Sequence, residues 1–489
     1  MDKSSWINHL SSWKKFLTER LTIADNIGDK KKIERQLLTI ERTRCAAVLN
    51  PSLISEFINP SLVTAYNDTL SDYFLELNAS QKNAVSRAVN STNLCLIQGP
   101  PGTGKTQIIT EICLQLFRND PSIKILVCSE THIAVNNILS RISNHNSDIR
   151  IVRLRDREKD DQIDSFVPET IIKDYLQWAS ASFENQSAYQ ILSEELADAQ
   201  DKSLEKALAL SANIAGMTCN RAAAYDFKDT TEMFDVAIID EVCKATLPEI
   251  LSPLLVSRKA ILIGDPKQLP PVFCSEDQDV IKSIDDCELD KYMYIDHLFE
   301  ESHNTIVLDT QYRMTNQIGE MISELFYNGF LKSGRNDNTD NCLIWIDYKK
   351  TQNWPHKEEL HSDKPRIFNH DECRIISNLL TKLDNKNPQA NIAVIAPYRA
   401  QISELRQIFQ ETDNIKFGTV DSFQGKESDI VIFSITRTIG TQRFLADVRR
   451  LNVALSRAKN RIYIIGDLDY CKKHPLLNKI ASLCKIVNM

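Results

Sequence analysis

The stretch LCLIQGPPGTGKT, residues 94–106, joins a short apolar run to a glycine-rich loop, and the helical pattern QIITEICLQLF follows it. The loop has the spacing G-x-x-x-x-G-K-[ST] in the order strand, loop, helix. Gly99, Gly102 and Gly104 let backbone N–H groups turn inward around phosphate oxygens. The start of the following helix adds partial positive charge. The stretch therefore predicts an α/β domain with a phosphate-binding loop after its first strand.

Three side chains complete this loop. Lys105 supplies a point charge for phosphate oxygens, and the Thr106 hydroxyl is the kind of ligand that Mg²⁺ takes beside a nucleotide. Thr103 lies between two of the glycines and belongs to the same nucleotide-binding set. A tight glycine turn without a ligand is the alternative, but the strand and helix on either side argue against it. We therefore expect ATP and Mg²⁺ as cofactors.

Short β-branched runs alternate with helical patterns through most of the chain. One block spans about 77–297 and contains LCLIQG, IKILVCS, IRIVRL, FDVAIIDE and KAILIGD. A second spans 298–489, with IAVIAPY, DIVIFSI and RIYIIGD as its strands. Such alternation predicts parallel sheets with helices on both faces. We therefore expect an α/β chain with two such domains.

Two parts of the chain depart from this alternation. Residues 1–76 are predicted to be mostly helical, and residues from about 160 to 212 predict a helical hairpin inserted on the surface of the first domain. The N-terminal prediction rests on apolar positions spaced three and four residues apart, namely Trp6, Leu10, Trp13, Phe16 and Leu17. The insertion rests on Ile191, Leu192, Leu196, Leu204 and Leu208.

Composition narrows the class of protein. Of the 489 residues, 42% are hydrophobic and 25% charged, which is typical of a globular protein. No apolar run approaches the roughly 18 residues of a membrane helix, and MDKSSWINHL lacks a secretory pattern. We therefore expect no membrane association and a cytoplasmic location, with the nucleus as the alternative.

Charge and cysteine usage restrict the possible sites. The formal charge of -8 argues against coating nucleic acid through an overall positive field, so any nucleic-acid site must be local. The twelve cysteines include no C-x-x-C pair. Four of them, Cys95, Cys113, Cys128 and Cys219, lie in apolar runs. We expect buried thiols there rather than a zinc site.

Two further segments of the first block carry polar residues at predicted strand ends. FDVAIID places Asp240 and Glu241 at the carboxyl end of a buried strand, where open α/β sheets place their chemistry. We assign Asp240 to the metal and Glu241 to the attacking water, with a solvated turn as the alternative. The next strand ends before Asp265 and Gln268, and Gln268 could report the γ-phosphate. The alternative is that the prolines of this segment simply end the strand.

Nine segments, in order, resemble those of superfamily 1 helicases, specifically the Upf-like branch of superfamily 1B. They are LNASQKNAV, GPPGTGKT, ILVCSETHIAVNN, IIDEVCKA, GDPKQLPPV, LDTQYRM, IAVIAPYRAQ, TVDSFQGKESDIVI and LNVALSRAK. TVDSFQGKE and NVALSRAK are highly specific, whereas ILVCSETHIAVNN is a weaker match. The resemblance implies two RecA-like domains with one ATP site between them.

The resemblance also assigns nucleotide contacts. It implies that Gln81 reads the adenine edge and that Tyr312 stacks on the base. Asn78 followed by Gln81 fits a helix capping box as well, and Tyr312 could be ordinary core.

The resemblance also implies nucleotide contacts in the second domain. It implies that Arg313 and Arg457 direct positive charge at the γ-phosphate, where negative charge develops during phosphoryl transfer. Glu427 is the contact on the ribose or phosphate side.

For single-stranded nucleic acid, the resemblance points to five residues. Thr131 and His132 are in the first domain, and Pro397, Tyr398 and Ser422 are in the second. Hydroxyl and N–H groups hold phosphates, and rings stack on bases without selecting sequence. Ordinary loop positions are the alternative for each.

Three features depart from the family pattern. Glu130 stands where proline is usual, and its carboxylate would repel phosphate unless it points away. Val242-Cys243-Lys244 replaces two small residues and a glutamine. The N-terminal region shows little strand pattern, whereas Upf-like enzymes often carry a β-barrel and stalk there.

Three functions follow as hypotheses. The first is a nucleic-acid-stimulated ATPase that translocates 5′ to 3′ and unwinds duplexes of DNA or RNA. The second is an ATP-gated clamp that holds nucleic acid or recruits a protein partner such as a nuclease. The third, a phosphotransferase acting on a small substrate, leaves the second domain unexplained.

Overall fold

A computed structural model describes residues 3–45, 49–64, 68–155, 165–182, 207–209, 211–224, 234–284, 292, 294–337, 341–348, 367–423 and 425–488. Its backbone contacts divide the chain into two compact units. The first unit comprises Met1–Gly99, Gly104–Pro266 and Pro270–Leu308. The second comprises Pro100–Thr103, Lys267–Leu269 and Asp309–Met489.

The first unit is built on a parallel sheet. Its described strands are β1 (Leu94–Gln98), β2 (Ile125–Ser129), β3 (Ile151–Arg153), β4 (Ile214–Thr218), β5 (Phe234–Ile239), β6 (Ser257–Gly264) and β7 (Ile306–Val307). They are ordered β3-β4-β2-β5-β6-β1-β7. The five predicted strands are confirmed. The sequence prediction omitted β4, which follows the insertion, and β7, which has only two residues.

Helices surround this sheet. They are α1 (Lys3–Ile23), α2 (Ile27–Arg44), α3 (Pro51–Ile58), α4 (Ala79–Asn90), α5 (Lys105–Asn119), α6 (His132–His145), α7 (Pro168–Ser182), α8 (Cys219–Ala224), α9 (Leu247–Leu255), α10 (Ser275–Ile284) and α11 (Tyr294–Glu301). Successive side chains of a strand point to opposite faces. Accordingly, Leu94 and Leu96 join a core with residues of α1, α2, α3 and α9. Cys95 and Ile97 join a second core with residues of α4, α5 and α6. Both faces of the sheet are therefore buried, as its apolar strands predict.

The N-terminal helices belong to the core of the first unit. All five residues of the predicted α1 stripe are buried, which confirms that stripe. The ring of Trp13 lies 5.0 Å from that of Tyr292 and 5.6 Å from that of Phe16. The Tyr294 hydroxyl donates to the Phe57 carbonyl at 2.7 Å. Aromatic packing and this hydrogen bond together anchor α1 and α3 to the unit.

The predicted insertion is described only in part. Helix α7 lies within it, and residues 207–209 are helical. Of the residues used to predict the hairpin, only Leu208 is described, and it packs against the first core. Ile191, Leu192, Leu196 and Leu204 lie outside the described residues.

The second unit contains another parallel sheet. Its strands are β10 (Leu343–Asp347), β11 (Ile392–Ala396), β12 (Ile415–Thr419), β13 (Ser428–Ser434), β14 (Ala458–Ile465) and β15 (Lys485–Asn488), and a separate pair is formed by β8 (Thr310–Gln311) and β9 (Lys332–Ser333). The large sheet has the order β12-β11-β13-β14-β10-β15. The three predicted strands are β11, β13 and β14. They occupy adjacent places in the sheet, while β10, β12 and β15 were not predicted.

The described helices of this unit are α12 (Asn316–Phe326), α13 (His370–Lys386), α14 (Arg399–Ile408), α15 (Val448–Leu455), α16 (Leu468–Cys471) and α17 (Pro475–Leu483). Ala393 and Ile395 point into one core, and Val394 points into another. The sheet is thus covered on both faces. These two units confirm the α/β class with two RecA-like domains.

Other predictions concern burial. The four cysteines of the apolar runs are buried free thiols, as expected. No helix within the described ranges is long and apolar enough to cross a membrane.

Candidate nucleotide and nucleic-acid sites

The phosphate loop connects β1 to α5. Gly102 and Gly104 adopt φ values of 74° and 83°, which only glycine adopts without strain. The Lys105 ammonium donates to the Gly99 carbonyl at 3.0 Å. The Thr103 hydroxyl donates to the Pro100 carbonyl at 2.8 Å. The loop is therefore closed by its own hydrogen bonds, and Thr106 follows in the first turn of α5.

Gln81 is positioned beside this loop by the start of α4. Asn78 and Gln81 form the capping box that the sequence allowed: Gln81 Oε1 accepts from the Asn78 N–H at 3.0 Å. A Cβ built on Gly104 would lie 2.7 Å from Gln81 Nε2. Gln81 thus contributes to helix capping and also lies against the loop. The cap does not exclude a nucleotide contact by the same amide.

The two carboxylates follow β5. Asp240 is buried, and its Oδ1 accepts from the Glu241 N–H at 2.9 Å. Glu241 has φ 55° and ψ 35°, a left-handed conformation that is uncommon for a residue other than glycine. Its Oε1 lies 3.7 Å from Lys105 Nζ. Strained backbone of this kind persists where the surrounding structure enforces it, often at functional sites.

Burial and the negative charge of Glu241 raise the pKa of Asp240 to about 7, and the positive charge of Lys105 opposes this rise. A divalent cation beside Asp240 would favour its charged form. Asp240 and Thr106 both offer hard oxygen ligands, the type that Mg²⁺ prefers. These residues therefore fit the metal assignment chemically.

Gln268 lies beyond the carboxyl end of β6, which pairs with β1. It is buried, and within the second unit Arg457 Nη2 lies 3.4 Å from its Oε1. Arg457 is also buried: its Nε donates to the Val453 carbonyl at 2.9 Å, and its Nη1 donates to the Lys426 carbonyl at 3.1 Å. Backbone acceptors therefore orient this guanidinium.

Arg313 and Glu427 form an ion pair within the second unit. Arg313 Nε donates to Glu427 Oε2 at 2.8 Å, and Lys459 Nζ lies 2.6 Å from Glu427 Oε1. Desolvation opposes ionisation of Glu427, but Lys459 and Arg313 outweigh it and lower the pKa of this carboxyl. Tyr312 is 45% exposed, so the structure does not support its alternative assignment as ordinary core. Lys459 is a charged neighbour that the sequence analysis did not single out, although it lies in LNVALSRAK.

The nucleic-acid candidates lie at strand ends. Thr131 and His132 follow β2, and the Thr131 hydroxyl caps α6 by accepting from the Ala134 N–H at 3.3 Å. Pro397 and Tyr398 follow β11, and Ser422 follows β12. Because β11 and β12 are parallel neighbours, the second-unit candidates lie on adjacent strand ends of one sheet edge.

Glu130 immediately precedes Thr131. Its Oε1 is buried. Burial and the nearby Glu249 raise the pKa of Glu130 to about 8, while Lys32 and Lys244 oppose the rise. Lys32 comes from α2, and its Nζ lies 3.0 Å from Glu249 Oε1. A neutral, inward carboxyl does not repel phosphate, so this departure from the family pattern is compatible with strand binding.

The larger residues Val242 and Cys243 fit because the residue that faces them, Gly264, has no side chain. A Cβ on Gly264 would lie 2.8 Å from Cys243 Sγ and 2.9 Å from Val242 Cγ1. Glycine at the end of β6 therefore makes room for the larger residues that follow Glu241.

Two residues near Tyr398 were not predicted. The ring of Phe444 lies 5.5 Å from that of Tyr398, and the Arg450 guanidinium lies 4.2 Å from the Phe444 centroid. The only signal in the sequence is the paired Arg449-Arg450 just before LNVALSRAK, with an aromatic residue upstream.

Comparisons with known proteins identify related families and sequences. Two family models, each described as an AAA domain, match residues 291–469 and the overlapping segments 76–180 and 169–276. The DNA polymerase alpha-associated DNA helicase A of Saccharomyces cerevisiae is 30% identical over 484 residues, covering 86% of this chain and 67% of that protein. The ATP-dependent helicase upf1 of Schizosaccharomyces pombe is 29% identical over 94% of this chain and 52% of its own length.

An uncharacterized ATP-dependent helicase of Methanocaldococcus jannaschii is 29% identical over 85% of this chain and 71% of its own length. Among solved structures, the Arterivirus nonstructural protein 10 helicase with DNA has a TM-score of 0.41 at 14% identity, covering 82% of this chain and 65% of that one. The chain belongs to the Upf-like branch of the superfamily 1 ATP-dependent helicases.

Proposed function

We propose that this chain hydrolyses ATP to move along single-stranded DNA or RNA in the 5′ to 3′ direction. The observation that carries the proposal is the arrangement of the first unit, where Lys105 Nζ lies 3.7 Å from Glu241 Oε1. A phosphate-binding cation and a carboxylate able to orient water thus share one sheet edge. The direction rests on the resemblance to superfamily 1B.

Backbone N–H groups of the glycine loop and the Lys105 ammonium bind the phosphates. Glu241 orients and deprotonates the attacking water, and Gln81 contacts the adenine. Mg²⁺, when bound, would be held by Thr106 and Asp240, where it would supply positive charge to phosphate oxygens. Gln268 responds to the γ-phosphate.

The second unit contributes the remaining nucleotide contacts. Tyr312 stacks on the base, and Glu427 lies on the ribose or phosphate side. Arg313 and Arg457 stabilise the charge that develops on the transferred phosphoryl group. The nucleotide state then controls how tightly each unit holds the nucleic acid.

Five residues, Thr131, His132, Pro397, Tyr398 and Ser422, are proposed as the strand contacts. Their hydroxyl, ring and backbone groups suit phosphates and base faces rather than base edges. Binding is therefore expected to depend on salt and only weakly on sequence. DNA and RNA both offer these groups.

The first test is ATP turnover of the full chain with and without single strands of matched DNA and RNA. Stimulation by either strand is expected. The Lys105→Ala variant should lose ATP affinity and turnover together, and Lys282→Ala, which changes an exposed lysine of α10, is its control. Turnover that no strand stimulates would contradict the proposal.

An ATP-gated clamp that holds nucleic acid or recruits a protein partner is the second candidate. Ahead of β1, the described residues form helices and contain no strand, whereas Upf-like enzymes often carry a β-barrel and stalk there. Strand displacement on duplexes with 5′ or 3′ tails separates the candidates. Displacement from the 5′ tail supports movement, and strand-stimulated ATPase without displacement on either tail supports the clamp.

A further inference from the structure

Three neighbouring strands of the second sheet end in one polar region. Strand β11 lies between β12 and β13. Ser422 follows β12, Tyr398 follows β11, and Arg437 follows β13. Because parallel strands place their carboxyl ends at the same edge, these residues lie on one side of the sheet. Arg437 thus adds a cation to an edge that already holds two proposed strand contacts.

The segment after β13 adds two side chains to this edge. Phe444 lies 5.5 Å from Tyr398, measured between ring centroids. The Arg450 guanidinium stacks over Phe444 at 4.2 Å, and Arg450 Nη1 lies 3.9 Å from Asp421 Oδ2. Asp421 directly precedes Ser422, so Phe444 and Arg450 connect the two proposed strand contacts.

The same segment is locally basic. Between 437 and 450 the chain carries four arginines and a single aspartate, although the whole chain has a formal charge of -8. The remaining arginines of the segment are Arg437, Arg443 and Arg449. Burial raises the pKa of Tyr398, and the positive charges of Arg437 and Arg450 oppose that rise. An anion approaching Tyr398 would therefore meet positive charge.

The geometry of Arg450 leaves its hydrogen-bond donors available. Stacking on a ring uses the face of a guanidinium and leaves the N–H groups at its edge. Within the described ranges, the nearest acceptor of an ion pair is Asp421 at 3.9 Å, which is too long for a good hydrogen bond. Both side chains are partly exposed, at 27% for Arg450 and 38% for Asp421. Such an ion pair contributes little to stability. The contact with Asp421 therefore does not explain why the Arg450 guanidinium is held in this position.

We propose that Arg450, held flat by Phe444, binds a backbone phosphate of the single strand beside Tyr398 and Ser422. This inference rests on the proposed function and adds Arg450 as a contact and Phe444 as its positioning residue. The edge of a guanidinium suits two phosphate oxygens at once. The backbone N–H of Arg450 donates to Asp447 Oδ1 at 2.8 Å, so the cap of α15 fixes the residue on which the contact depends.

The test measures the affinity of the full chain for fluorescent dT and U oligonucleotides by anisotropy over a range of salt concentrations. Arg450→Gln should weaken binding about tenfold, because a charge-assisted hydrogen bond is lost. The slope of log affinity against log salt should fall by about 0.7, the value for one phosphate contact on a single strand.

Two further variants separate charge from position. Arg450→Lys keeps the charge, so it should retain the parental salt slope while binding about threefold more weakly without the planar stack. Phe444→Leu should also keep the slope and weaken binding by a similar factor of about three. Parental affinity in Phe444→Leu would overturn the positioning role.

The matched control is Arg374→Gln in α13, where an arginine that is 71% exposed also pairs with an aspartate, Asp371. It should bind like the parent, and a loss equal to that of Arg450→Gln would mean that any surface arginine matters, which overturns the contact. If single strands stimulate the parent but Arg450→Gln retains parental affinity and slope, only this inference fails. If the parent neither binds nor responds to a strand, the proposed function fails with it.

Discussion

Glu372 in α13 is the centre of a buried polar network in the second unit. Its Oε1 accepts from the Tyr348 hydroxyl at 3.0 Å. Its Oε2 accepts from the Thr436 N–H at 2.8 Å and from the Ser434 hydroxyl at 2.5 Å. Thr436 has φ 70°, a strained value for threonine, and directly precedes Arg437. The network therefore supports the start of the basic segment.

Burial raises the pKa of Glu372 to about 8, Asp467 acts in the same direction, and the three hydrogen bonds oppose the rise. The folded-state pKa thus exceeds the usual value of 4.5. Between these two values the unfolded chain has released the proton that the folded chain retains. The stability that this proton contributes is complete below pH 4.5 and is lost as pH rises towards 8. The slope is about 1.4 kcal/mol per pH unit and falls to half of that at the folded pKa, so the free energy of unfolding decreases by about 2 kcal/mol between pH 6 and pH 8.

Glu372→Gln should remove this dependence. The amide oxygen can accept from Ser434 and Thr436. The amide nitrogen can donate to the Tyr348 oxygen, as a neutral carboxyl would, which reverses the direction of that hydrogen bond. We expect the variant to lie within about 1 kcal/mol of the parent at pH 6. At pH 8 it should gain about 2 kcal/mol relative to the parent, because it has no proton to lose.

The assay is urea unfolding of both proteins at pH 6, 7 and 8, with Glu320→Gln on the exposed side of α12 as the control. The difference between variant and parent at each pH removes the contribution of other titrating groups. A parent that is insensitive to pH, with a variant destabilised by more than about 2 kcal/mol at pH 6, would refute the reasoning. It would mean that three donors keep Glu372 ionised despite its burial.

Other substitutions test the two units. Glu241→Gln should retain ATP binding and reduce turnover by about 10²- to 10⁴-fold, the usual effect of a general base, and parental turnover would exclude that role. Arg457→Ala should lower kcat more than it raises the Kd for ATP, whereas equal effects would indicate a binding role only. Gly104→Ala should weaken ATP binding, because a Cβ at φ 83° would lie 2.7 Å from Gln81 Nε2, and unchanged affinity would refute that constraint. Trp13→Ala should destabilise the first unit by about 3–5 kcal/mol, measured by urea unfolding, and a change below 1 kcal/mol would contradict its place in the core.

The sequence by itself determined the local features of this protein. The phosphate loop is contiguous, and its glycine spacing and flanking strand and helix specify a backbone shape without distant residues. Asp240 and Glu241 could be placed at a strand end because five apolar residues among the preceding six indicate a buried strand. The stripe of α1 followed from helical spacing alone, and all of its residues are buried.

Some strands were missed because the sequence analysis could use only local patterns, and their own residues give a weak strand signal. Strand β12 reads IKFGT, with a charged residue and a glycine, and β15 is an exposed strand at the sheet edge. Their pairing with neighbours, rather than their own composition, makes them strands.

The tertiary structure alone decided which distant side chains meet. Arg450 reaches the surroundings of Tyr398 only because β11, β12 and β13 are neighbours and a helix cap fixes the segment after β13. Glu130 faces Lys32 and Glu249, which precede and follow it by about a hundred residues, so its protonation could not be inferred from its position in the chain. Local spacing encodes backbone shape through short-range sterics and hydrogen bonds, whereas burial and charge neighbourhood arise only when separate elements pack together.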